Sequence, residues 1–436
     1  MSDVLFGILG LVVLLSIAWL FSNNKRKINW RIVLIGISLQ LAFAVFVLKT
    51  PWGSLVFDAI GSFFVKIIDF TDDGSKFVFG VLADQDIFGD AFPADLKSTG
   101  IGFLFAFQVL PTIIFFSSLM TVLYHLGIMQ KVVQGMAWVM ARLMKVSGAE
   151  SISVAANVFI GQTEAPLVVR PYVSSMTSSE LLTLMVGGMA TIAGGVLAAY
   201  VSLLGGGDPA QQLIYAKHLL SASIMAAPAT MVIAKILIPE TQESKTMGTV
   251  KLKIERSTTN VIDAAATGAS DGLKLALNVA GMLLAFIALI SMFNWILRSV
   301  VTDLLGITIS GDPVTMEILL GHMLSPIAFI IGVPWNDAVT VGSLIGQKIV
   351  INEFIAYMNL SAIIPTQAIS EKAIIISTYA LCGFANFSSI AIQLGGIGGI
   401  APDRRSDLAK YGLRAVLGGS LATFMTATIA GVLISL

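Results

Sequence analysis

Apolar runs close to 20 residues long recur along the whole chain, and this pattern restricts the possible folds more than any other feature. A helix that crosses the hydrocarbon core of a bilayer needs about 20 apolar residues, because it rises only about 1.5 Å per residue. Such runs lie at about 4–22, 30–49, 100–126, 180–204, 213–238, 273–300, 373–399 and 410–435. We therefore expect an all-α polytopic membrane protein with eight transmembrane helices.

The composition excludes several other classes of protein. Hydrophobic residues make up 56% of the chain and charged residues 12%, whereas soluble domains carry about 25% charged residues. The formal net charge is zero and no basic patch is present, so no nucleic-acid partner is indicated. Cys382 is the single cysteine, which excludes an internal disulfide and a metal site built from several cysteines. The first apolar run ends in Asn-Asn-Lys-Arg-Lys27 rather than in a cleavage site, which indicates a retained span.

Two further apolar stretches are interrupted in the middle by polar residues. The stretch at about 150–172 contains Gly161-Gln-Thr-Glu164, and the stretch at about 340–362 contains Asn352-Glu353. A carboxylate at membrane depth costs at least about 2.5 kcal/mol, so it is retained for a function. Non-helical backbone is tolerated there only where protein or a wet cavity covers it. We predict two re-entrant helical hairpins whose polar tips form a buried ligand site.

Two of the expected spans are also interrupted at their midpoints. One contains Thr191-Ile-Ala-Gly-Gly195 and the other Gly383-Phe-Ala-Asn-Phe-Ser-Ser389. Half-helix ends and free carbonyls at such breaks can face a ligand. The order of span, amphipathic segment, hairpin, broken span and span occurs from 100 to 238 and recurs from 273 to 436. The sequence therefore predicts two structural repeats.

Charge placement predicts the orientation in the membrane. Basic residues cluster in three loops, and the amphipathic segment Ile128–Val146 carries more, whereas its counterpart Val314–Val333 is less charged. Loops rich in lysine and arginine face the cytoplasm. Both termini are then outside, and the two hairpins enter from opposite sides, so the repeats have inverted topology. The loop residues are Lys25, Arg26, Lys27, Arg31, Lys251, Lys253, Arg256, Arg404, Arg405, Lys410 and Arg414, and the opposite side receives Asp58, Asp69, Asp72, Asp73, Asp84, Asp86, Asp90 and Asp95.

Each polar signal also has a simpler interpretation. The segment with Glu164 could be an ordinary cytoplasmic loop, and Glu353 could be a structural carboxylate paired with Lys348. Asn386 and Ser389 are three residues apart, so on a helix they share a face, but such residues also join helices to one another. A membrane protease is not indicated, because the chain lacks a His-Glu-x-x-His motif.

Several long segments resemble the concentrative nucleoside transporters. They occur in the order typical of that family, cover nearly the whole chain and suit a short bacterial-type member. The segments are Gly161-Gln-Thr-Glu-Ala-Pro-Leu-Val-Val-Arg-Pro171, Asn260-Val-Ile-Asp-Ala-Ala-Ala266, Pro334-Trp335, Asn352-Glu-Phe-Ile-Ala-Tyr357, Cys382-Gly-Phe-Ala-Asn-Phe-Ser-Ser389 and Ala427-Thr-Ile-Ala-Gly431.

The resemblance implies a homotrimer of protomers that each contain a scaffold and a mobile, elevator-type transport domain. Residues 1–147 would hold scaffold helices and an interfacial helix, and 148–240 the first half of the transport domain. Residues 241–313 would add a loop and a scaffold helix, and 314–436 the second half of the transport domain. Membrane lipid and a nucleoside would be the other partners.

The resemblance also implies the roles of individual residues. The nucleobase would contact the first tip and the broken span, at Gly161, Gln162, Thr163, Glu164 and Val196. The ribose would be held by Glu353, Phe384, Asn386 and Ser389. A sodium ion would be bound by Asn157, Ile160, Thr191 and Ile192. Thr191 stands where a serine is common in the family, but both residues supply a hydroxyl.

We therefore expect a sodium-coupled nucleoside importer of the bacterial inner membrane that performs no covalent chemistry. In the family that the chain resembles, proton-coupled members tend to depart from Gly-Gln-Thr-Glu-Ala-Pro at the first tip, and this chain keeps it, which favours sodium. A proton-coupled symporter using Glu164 or Glu353 is the alternative within the class. An intramembrane enzyme with the two glutamates as acid and base is the alternative of another class, and it lacks a nucleophile or a metal cluster.

Overall fold

The computed structural model describes residues 3–84, 87, 104–206, 208–248, 258–309 and 311–436, and their secondary structure is almost entirely helical. The helices of the first half are α1 (Asp3–Leu20), α2 (Trp30–Lys49), α3 (Pro51–Phe79), α4 (Phe105–Gln108), α5 (Leu110–His125), α6 (Ile128–Met144), α7 (Gly148–Asn157), α8 (Ala165–Val168), α9 (Arg170–Val173), α10 (Ser178–Ala190), α11 (Gly194–Gly205) and α12 (Pro209–Leu237). Six of the charged residues used to predict the orientation lie outside the described residues, namely Asp86, Asp90, Asp95, Lys251, Lys253 and Arg256.

The second half begins with a long helix that ends in a π-helical segment, Arg298–Leu304. A short antiparallel pair of strands follows, β1 (Thr308–Ile309) and β2 (Asp312–Pro313), with Thr308 opposite Pro313. The helices of this half are α13 (Val261–Leu297), α14 (Met316–Ile330), α15 (Ala338–Val350), α16 (Glu353–Ile363), α17 (Glu371–Leu381), α18 (Phe387–Ile400) and α19 (Arg405–Ile434).

The helices identify the chain as a multi-pass membrane protein. Within the described residues, seven helical stretches are long and apolar enough to cross a membrane, and they coincide with seven of the eight expected spans. The eighth, expected at about 373–399, is divided between α17 and α18, each of which is too short alone. The stretches are Asp3–Leu20, Trp30–Lys49, Phe105–His125, Ser178–Gly205, Pro209–Leu237, Val261–Leu304 and Pro402–Ile434.

Helix α3 is not predicted by the hydropathy pattern. It is 29 residues long and begins at Pro51, where the hydroxyl of Thr50 caps the helix by accepting a hydrogen bond from the Gly53 backbone N–H at 3.0 Å. Its buried residues, among them Phe57 and Val65, recur every three to four positions. Its exposed positions carry charged residues and also large apolar side chains such as Leu55 and Phe63. The charged residues between Asp58 and Lys76 lower the mean hydropathy of the helix, so the hydropathy pattern does not indicate a span there.

The four predicted interruptions are confirmed as breaks between helices. The first helix pair is α7 with α8 and α9, and its tip is the turn 158–164; the second helix pair is α15 with α16, and its tip is Ile351-Asn352. The two broken spans are α10 with α11 and α17 with α18. The side chain of Asn352 caps α16 by accepting a hydrogen bond from the Ile355 N–H at 3.0 Å.

The first helix pair has its outer ends beside the end of α1 and the end of α12. The Gly148 N–H donates to the carbonyl of Thr246 at 2.8 Å, and the Asn23 N–H donates to the carbonyl of Leu237 at 3.0 Å. Arg404, at the start of the last helical stretch, donates through Nη1 to carbonyls at the other outer end of this pair, 2.6 Å from that of Met176. Basic residues from two of the three expected loops therefore lie at this end of the molecule.

The second helix pair has its outer ends at the opposite end of the molecule. Asp337 precedes α15 and accepts a hydrogen bond from the Ser370 N–H at 3.1 Å. Lys372 follows at the start of α17 and pairs with Asp3, the first residue of α1, at 3.2 Å. Since α1 has 18 residues and rises about 1.5 Å per residue, its two ends are about 27 Å apart. The two helix pairs thus point toward each other from opposite ends.

The two broken spans touch where they are interrupted. Gly383, in the break between α17 and α18, has φ +157°. A Cβ atom at this position would lie 2.8 Å from the Met189 carbonyl oxygen and 3.0 Å from the Ala190 carbonyl carbon, both in the last turn of α10. Only glycine permits this backbone conformation together with so close an approach.

We therefore predict that Gly383→Ala destabilises the protein. Backbone strain of this kind costs about 1–3 kcal/mol, and the clash with the α10 backbone adds to it. The melting temperature in detergent should fall by several degrees. Gly395→Ala is the matched control, because Gly395 lies in α18 with no atom within 4 Å of its Cβ position. Equal melting temperatures for the two variants would show that the contact between the breaks is not tight.

Candidate functional site

Glu353 is a buried carboxylate at the start of α16, with 5% of the residue exposed. Its Oε1 accepts a hydrogen bond from the Tyr200 hydroxyl at 2.9 Å, and its Oε2 accepts one from Asn386 Nδ2 at 2.9 Å. The carboxylate also lies in the first turn of a helix, where the partial positive charge favours an anion. These interactions favour the charged form of the carboxylate and oppose the cost of its burial.

Lys348 does not pair with Glu353 by a hydrogen bond. Its ammonium donates instead to the Ala380 carbonyl at 2.8 Å and to Thr423 Oγ1 at 3.1 Å. The interpretation that Glu353 is a structural carboxylate paired with Lys348 is therefore wrong. The carboxylate is held by groups that belong to the two broken spans.

Asn386 connects Glu353 to the start of α18. Its Nδ2 donates to Glu353, while its Oδ1 caps the helix by accepting from the Ser389 N–H at 2.8 Å and from the Ser388 hydroxyl at 2.7 Å. A single side chain thus caps a half-helix and orients the carboxylate. The capping requirement also places the Ser389 hydroxyl beside Asn386.

Gln162 brings the tip of the first helix pair into the same group of side chains. Its Nε2 donates to Ser389 Oγ at 3.0 Å, and its Oε1 accepts from Gln393 Nε2 at 3.1 Å. Gln393 Nε2 also donates to the Met185 carbonyl in α10 at 2.9 Å. A continuous chain of hydrogen bonds, which we name the tip network, joins Tyr200, Glu353, Asn386, Ser389, Gln162 and Gln393.

The other predicted residues of the first tip lie next to this network. The carboxylate of Glu164 folds back over Gly161, and Glu164 is otherwise exposed. Thr163 faces α18, since a Cβ atom on Gly396 would lie 3.2 Å from its Cγ2. The two glutamates are therefore in different environments, one exposed and one buried.

Val196 and Phe384 lie in or beside the breaks. Val196 is buried near the start of α11, one helical turn before Tyr200, so both residues are on the same face. Phe384 is half-buried between α17 and α18.

Asn157 carries an unsatisfied acceptor at the end of α7. Its Nδ2 donates to the Ser153 carbonyl at 3.0 Å, but the buried Oδ1 has no hydrogen-bond partner in the structure. A buried polar atom without a partner costs free energy, so this oxygen is available as a ligand for a bound group. The amide lies against α10, because a Cβ on Gly187 would be 3.3 Å from its Nδ2.

The remaining predicted cation ligands lie in segments that contact one another near Asn157. Thr191 follows the last residue of α10, and its hydroxyl donates to the Gly187 carbonyl at 2.8 Å. The tip after α7, which contains Ile160, is joined to the break at 191–193 by a hydrogen bond from the Gly194 N–H to the Phe159 carbonyl at 3.0 Å. This region offers amide, hydroxyl and carbonyl oxygens, including the carbonyl of the buried Ile192. Hard cations prefer such oxygen ligands.

Two members of the tip network were not predicted from the sequence. Tyr200 and Gln393 are single polar residues within apolar runs, Val-Leu-Ala-Ala-Tyr200 and Ser389-Ile-Ala-Ile-Gln393. Gln393 follows Ser389 by four residues on a helix, so a search for polar pairs on one face could have found it. Nothing in the sequence indicates that Tyr200 reaches a glutamate 153 residues away.

The arrangement suits recognition of a neutral polar ligand. The network offers a carboxylate that accepts, a hydroxyl, and amides that both donate and accept. Within the described ranges, no group of three or more His, Cys, Asp or Glu residues is placed to bind a metal ion.

Three family models together match most of the chain. The model described as "Na+ dependent nucleoside transporter N-terminus" matches residues 9–82, "Nucleoside recognition" matches 106–207, and "Na+ dependent nucleoside transporter C-terminus" matches 218–431. The nucleoside permease NupC of Helicobacter pylori is 40% identical over 436 residues, covering 99% of this chain and 98% of the permease. The chain belongs to the concentrative nucleoside transporter family. This confirms the resemblance seen in the sequence and places the protein among transporters rather than enzymes.

Further relatives and solved structures are similar to nearly the whole chain. Sodium/nucleoside cotransporter 1 of mouse is 38% identical over 438 residues, covering 97% of this chain and 63% of the mouse protein. The structure described as CNTnw in an inward-facing substrate-bound state has a TM-score of 0.89 and 41% identity, covering 100% of this chain and 98% of that chain. A CNTnw variant in an outward-facing state also has a TM-score of 0.89, with 42% identity, covering 99% and 98%.

The tip network predicts the effect of removing one hydroxyl in this transporter. Tyr200→Phe deletes one of the two side-chain donors to Glu353, and hydrogen bonds to charged groups are worth roughly 1.5–3 kcal/mol. The melting temperature should fall, and it should fall much less when Glu353→Gln is already present. Tyr379→Phe is the control, since its hydroxyl pairs with His218 at 3.1 Å outside the network. Equal losses from Tyr200→Phe in both backgrounds would show that the hydroxyl does not stabilise the carboxylate.

Proposed function

We propose that this protein is a secondary active transporter that imports nucleosides across the bacterial inner membrane, driven by a sodium gradient. The observation that carries the proposal is the tip network, which joins two helix pairs from opposite ends of the molecule at the point where two broken spans meet. A ligand at such a point is enclosed from both sides. Alternating access then requires that the enclosing elements move relative to the rest of the protein.

The relatives support this activity. Two of them are described as a nucleoside permease and a sodium/nucleoside cotransporter. The similar structures include inward-facing and outward-facing states of one protein, CNTnw, which is what alternating access produces. The high structural similarity over nearly the full length supports the same transport cycle here.

The nucleoside would bind between the two tips. In the structure, Gln162 donates directly to Ser389 at 3.0 Å, and a nucleoside placed there would exchange partners with both. The base would then contact the first tip, at Gly161, Gln162, Thr163 and Glu164, with Val196 beside it. The ribose hydroxyls would contact Glu353, Asn386 and Ser389, with Phe384 beside them. A site built to hydrogen-bond a hydroxyl rejects analogues that lack it.

Sodium would be bound between the first tip and the break that follows α10. Asn157 Oδ1 is a buried acceptor that lacks a hydrogen-bond partner in the structure, and Thr191, Ile160 and Ile192 would supply a hydroxyl and carbonyl oxygens. A cation at this position neutralises the partial negative charge at the C-terminal end of α10. Because its ligands come from both the tip and the broken span, it would hold the nucleoside-binding tip in place.

The proposed transport cycle is of the elevator type, in a homotrimer. The two helix pairs would be re-entrant hairpins of inverted repeats within an eight-span topology, and both termini would lie outside. The long helix α13 packs against α5, and much of its apolar surface is exposed, for example at Leu284 and Trp295. This pair of helices is suited to the scaffold and to contacts with lipid or neighbouring protomers.

The sodium site predicts the phenotype of Asn157→Ala. Removing the amide should raise the sodium concentration for half-maximal uptake about tenfold, which corresponds to about 1.4 kcal/mol, before nucleoside recognition is lost. Uptake of labelled nucleoside into proteoliposomes at varied sodium measures this. Asn359→Ala is the control, because it removes an amide from α16 that hydrogen-bonds Gln347, away from both sites.

Unchanged sodium dependence in Asn157→Ala would show that the ion site is assigned wrongly. Equal uptake by the unmutated protein in sodium-free buffer would contradict sodium coupling altogether. Uptake that instead follows a proton gradient would establish the proton-coupled alternative, with Glu164 or Glu353 as the proton carrier.

The two glutamates should differ in what they recognise. Glu353→Gln should bind the parent nucleoside roughly 10- to 150-fold more weakly, since a hydrogen bond to a charged group is worth roughly 1.5–3 kcal/mol. It should lose little more when the ribose hydroxyl that it contacts is deleted. Glu164→Gln should change discrimination among bases and keep the penalty for the missing hydroxyl. Competition binding with ribosyl and deoxyribosyl ligands tests both variants, and a full hydroxyl penalty in Glu353→Gln at every sugar position would reverse the assignment.

A further inference from the structure

Lys348 is a buried cation whose hydrogen-bond acceptors are both neutral. The residue lies in the last turn of α15 and is 0% exposed. Its ammonium donates to a backbone carbonyl, that of Ala380, and to a hydroxyl, that of Thr423. A buried charge is normally paired with an opposite charge, because burial without compensation costs free energy. Carbonyl and hydroxyl oxygens are, however, the ligands that a small monovalent cation takes in proteins.

The Ala380 carbonyl belongs to the C-terminal end of the half-helix α17. The last four carbonyls of a helix have no partner within it, and together they carry partial negative charge. Since α17 ends at Leu381 inside the molecule, this charge is not solvated by bulk water. The Lys348 ammonium therefore compensates the end of a broken span.

The corresponding place in the first repeat is the sodium site that we propose above. There the half-helix α10 ends at Ala190, and Asn157, the last residue of α7, lies against its final turn at Gly187. The chain spacing is the same in both repeats. Asn157 precedes the C-cap residue Thr191 by 34 residues, and Lys348 precedes the C-cap residue Cys382 by 34 residues.

The two repeats differ in how the positive charge is supplied. Asn157 ends in an acceptor oxygen that lacks a partner, so it needs a donor or a cation from outside the chain. Lys348 ends in an ammonium that reaches the helix end by itself. In this comparison, the longer side chain would take the place of an ion together with the shorter asparagine.

We propose that Lys348 is a built-in cation that occupies the position of the second repeat equivalent to the sodium site of the first. The second repeat therefore binds no sodium at this position, and its broken span stays neutralised throughout the cycle. Only the first repeat responds to the sodium gradient there. This inference rests on the proposed sodium coupling of the first repeat.

The test exchanges the two side chains. Lys348→Met removes the charge with little change in volume, and Lys348→Asn installs the ligand found in the first repeat. The full-length proteins are compared in detergent by melting temperature over a range of sodium concentrations, with potassium as the balancing salt, and by binding of radioactive sodium. Lys348→Met should melt several degrees lower at every sodium concentration. Lys348→Asn should be equally destabilised without sodium, recover as sodium rises, and bind one more sodium ion per protomer than the unmutated protein.

A reciprocal variant keeps the proposal testable if neither substitution at Lys348 yields folded protein. Asn157→Lys should place an ammonium at the end of α10 and give a melting temperature that no longer depends on sodium, near that of the sodium-loaded unmutated protein. Asn157→Leu, its control, should melt like the sodium-free unmutated protein.

The outcomes separate the two proposals. A melting temperature of the unmutated protein that does not respond to sodium would contradict the proposed function itself. If the unmutated protein responds to sodium but Lys348→Asn does not recover stability in sodium, only the proposal for Lys348 is overturned. The same conclusion follows if Lys348→Met is as stable as the unmutated protein, or if Asn157→Lys still needs sodium for its stability.

Discussion

A backbone that leaves the helical conformation inside a bilayer exposes amide and carbonyl groups that lipid cannot hydrogen-bond. In this protein the interruptions of two helix pairs and two broken spans are therefore buried against one another. Gly383 packs on the end of α10, and the tips meet through Gln162 and Ser389. The polar centre of the molecule is a consequence of this requirement, and the proposed binding site would use groups that need hydrogen-bond partners in any case.

Two asparagines supply hydrogen-bond partners to free backbone N–H groups at the helix starts of the second repeat. Asn352 caps α16 and Asn386 caps α18, each by accepting a backbone N–H three residues later. The free amide of Asn386 then donates to Glu353. Helix capping and the orientation of the Glu353 carboxylate are thus combined in one residue, and a substitution of Asn386 removes both.

The sequence was sufficient to predict where the helices are interrupted, because a polar or charged residue in the middle of an apolar run is costly in a continuous membrane helix. It was not sufficient to predict α3, whose charged residues lower its mean hydropathy. Nor did it indicate Tyr200, since the partner of a buried hydroxyl depends on tertiary packing and not on local spacing. The sequence shows that Glu164 and Lys348 lie in polar interruptions or next to them. It does not show that Glu164 is exposed or which groups Lys348 contacts, because both depend on packing.

The first helix pair is attached at both of its ends. Arg404 donates to the carbonyls of Ser174 and Met176 at the outer end, and Gln162 is bonded at the tip. While both contacts hold, the pair cannot swing open like a flap about a single hinge. Access to the proposed site from that side therefore requires either the rupture of one contact, as when a nucleoside replaces Ser389 as the partner of Gln162, or the displacement of the pair together with α18 and α19 as one rigid body.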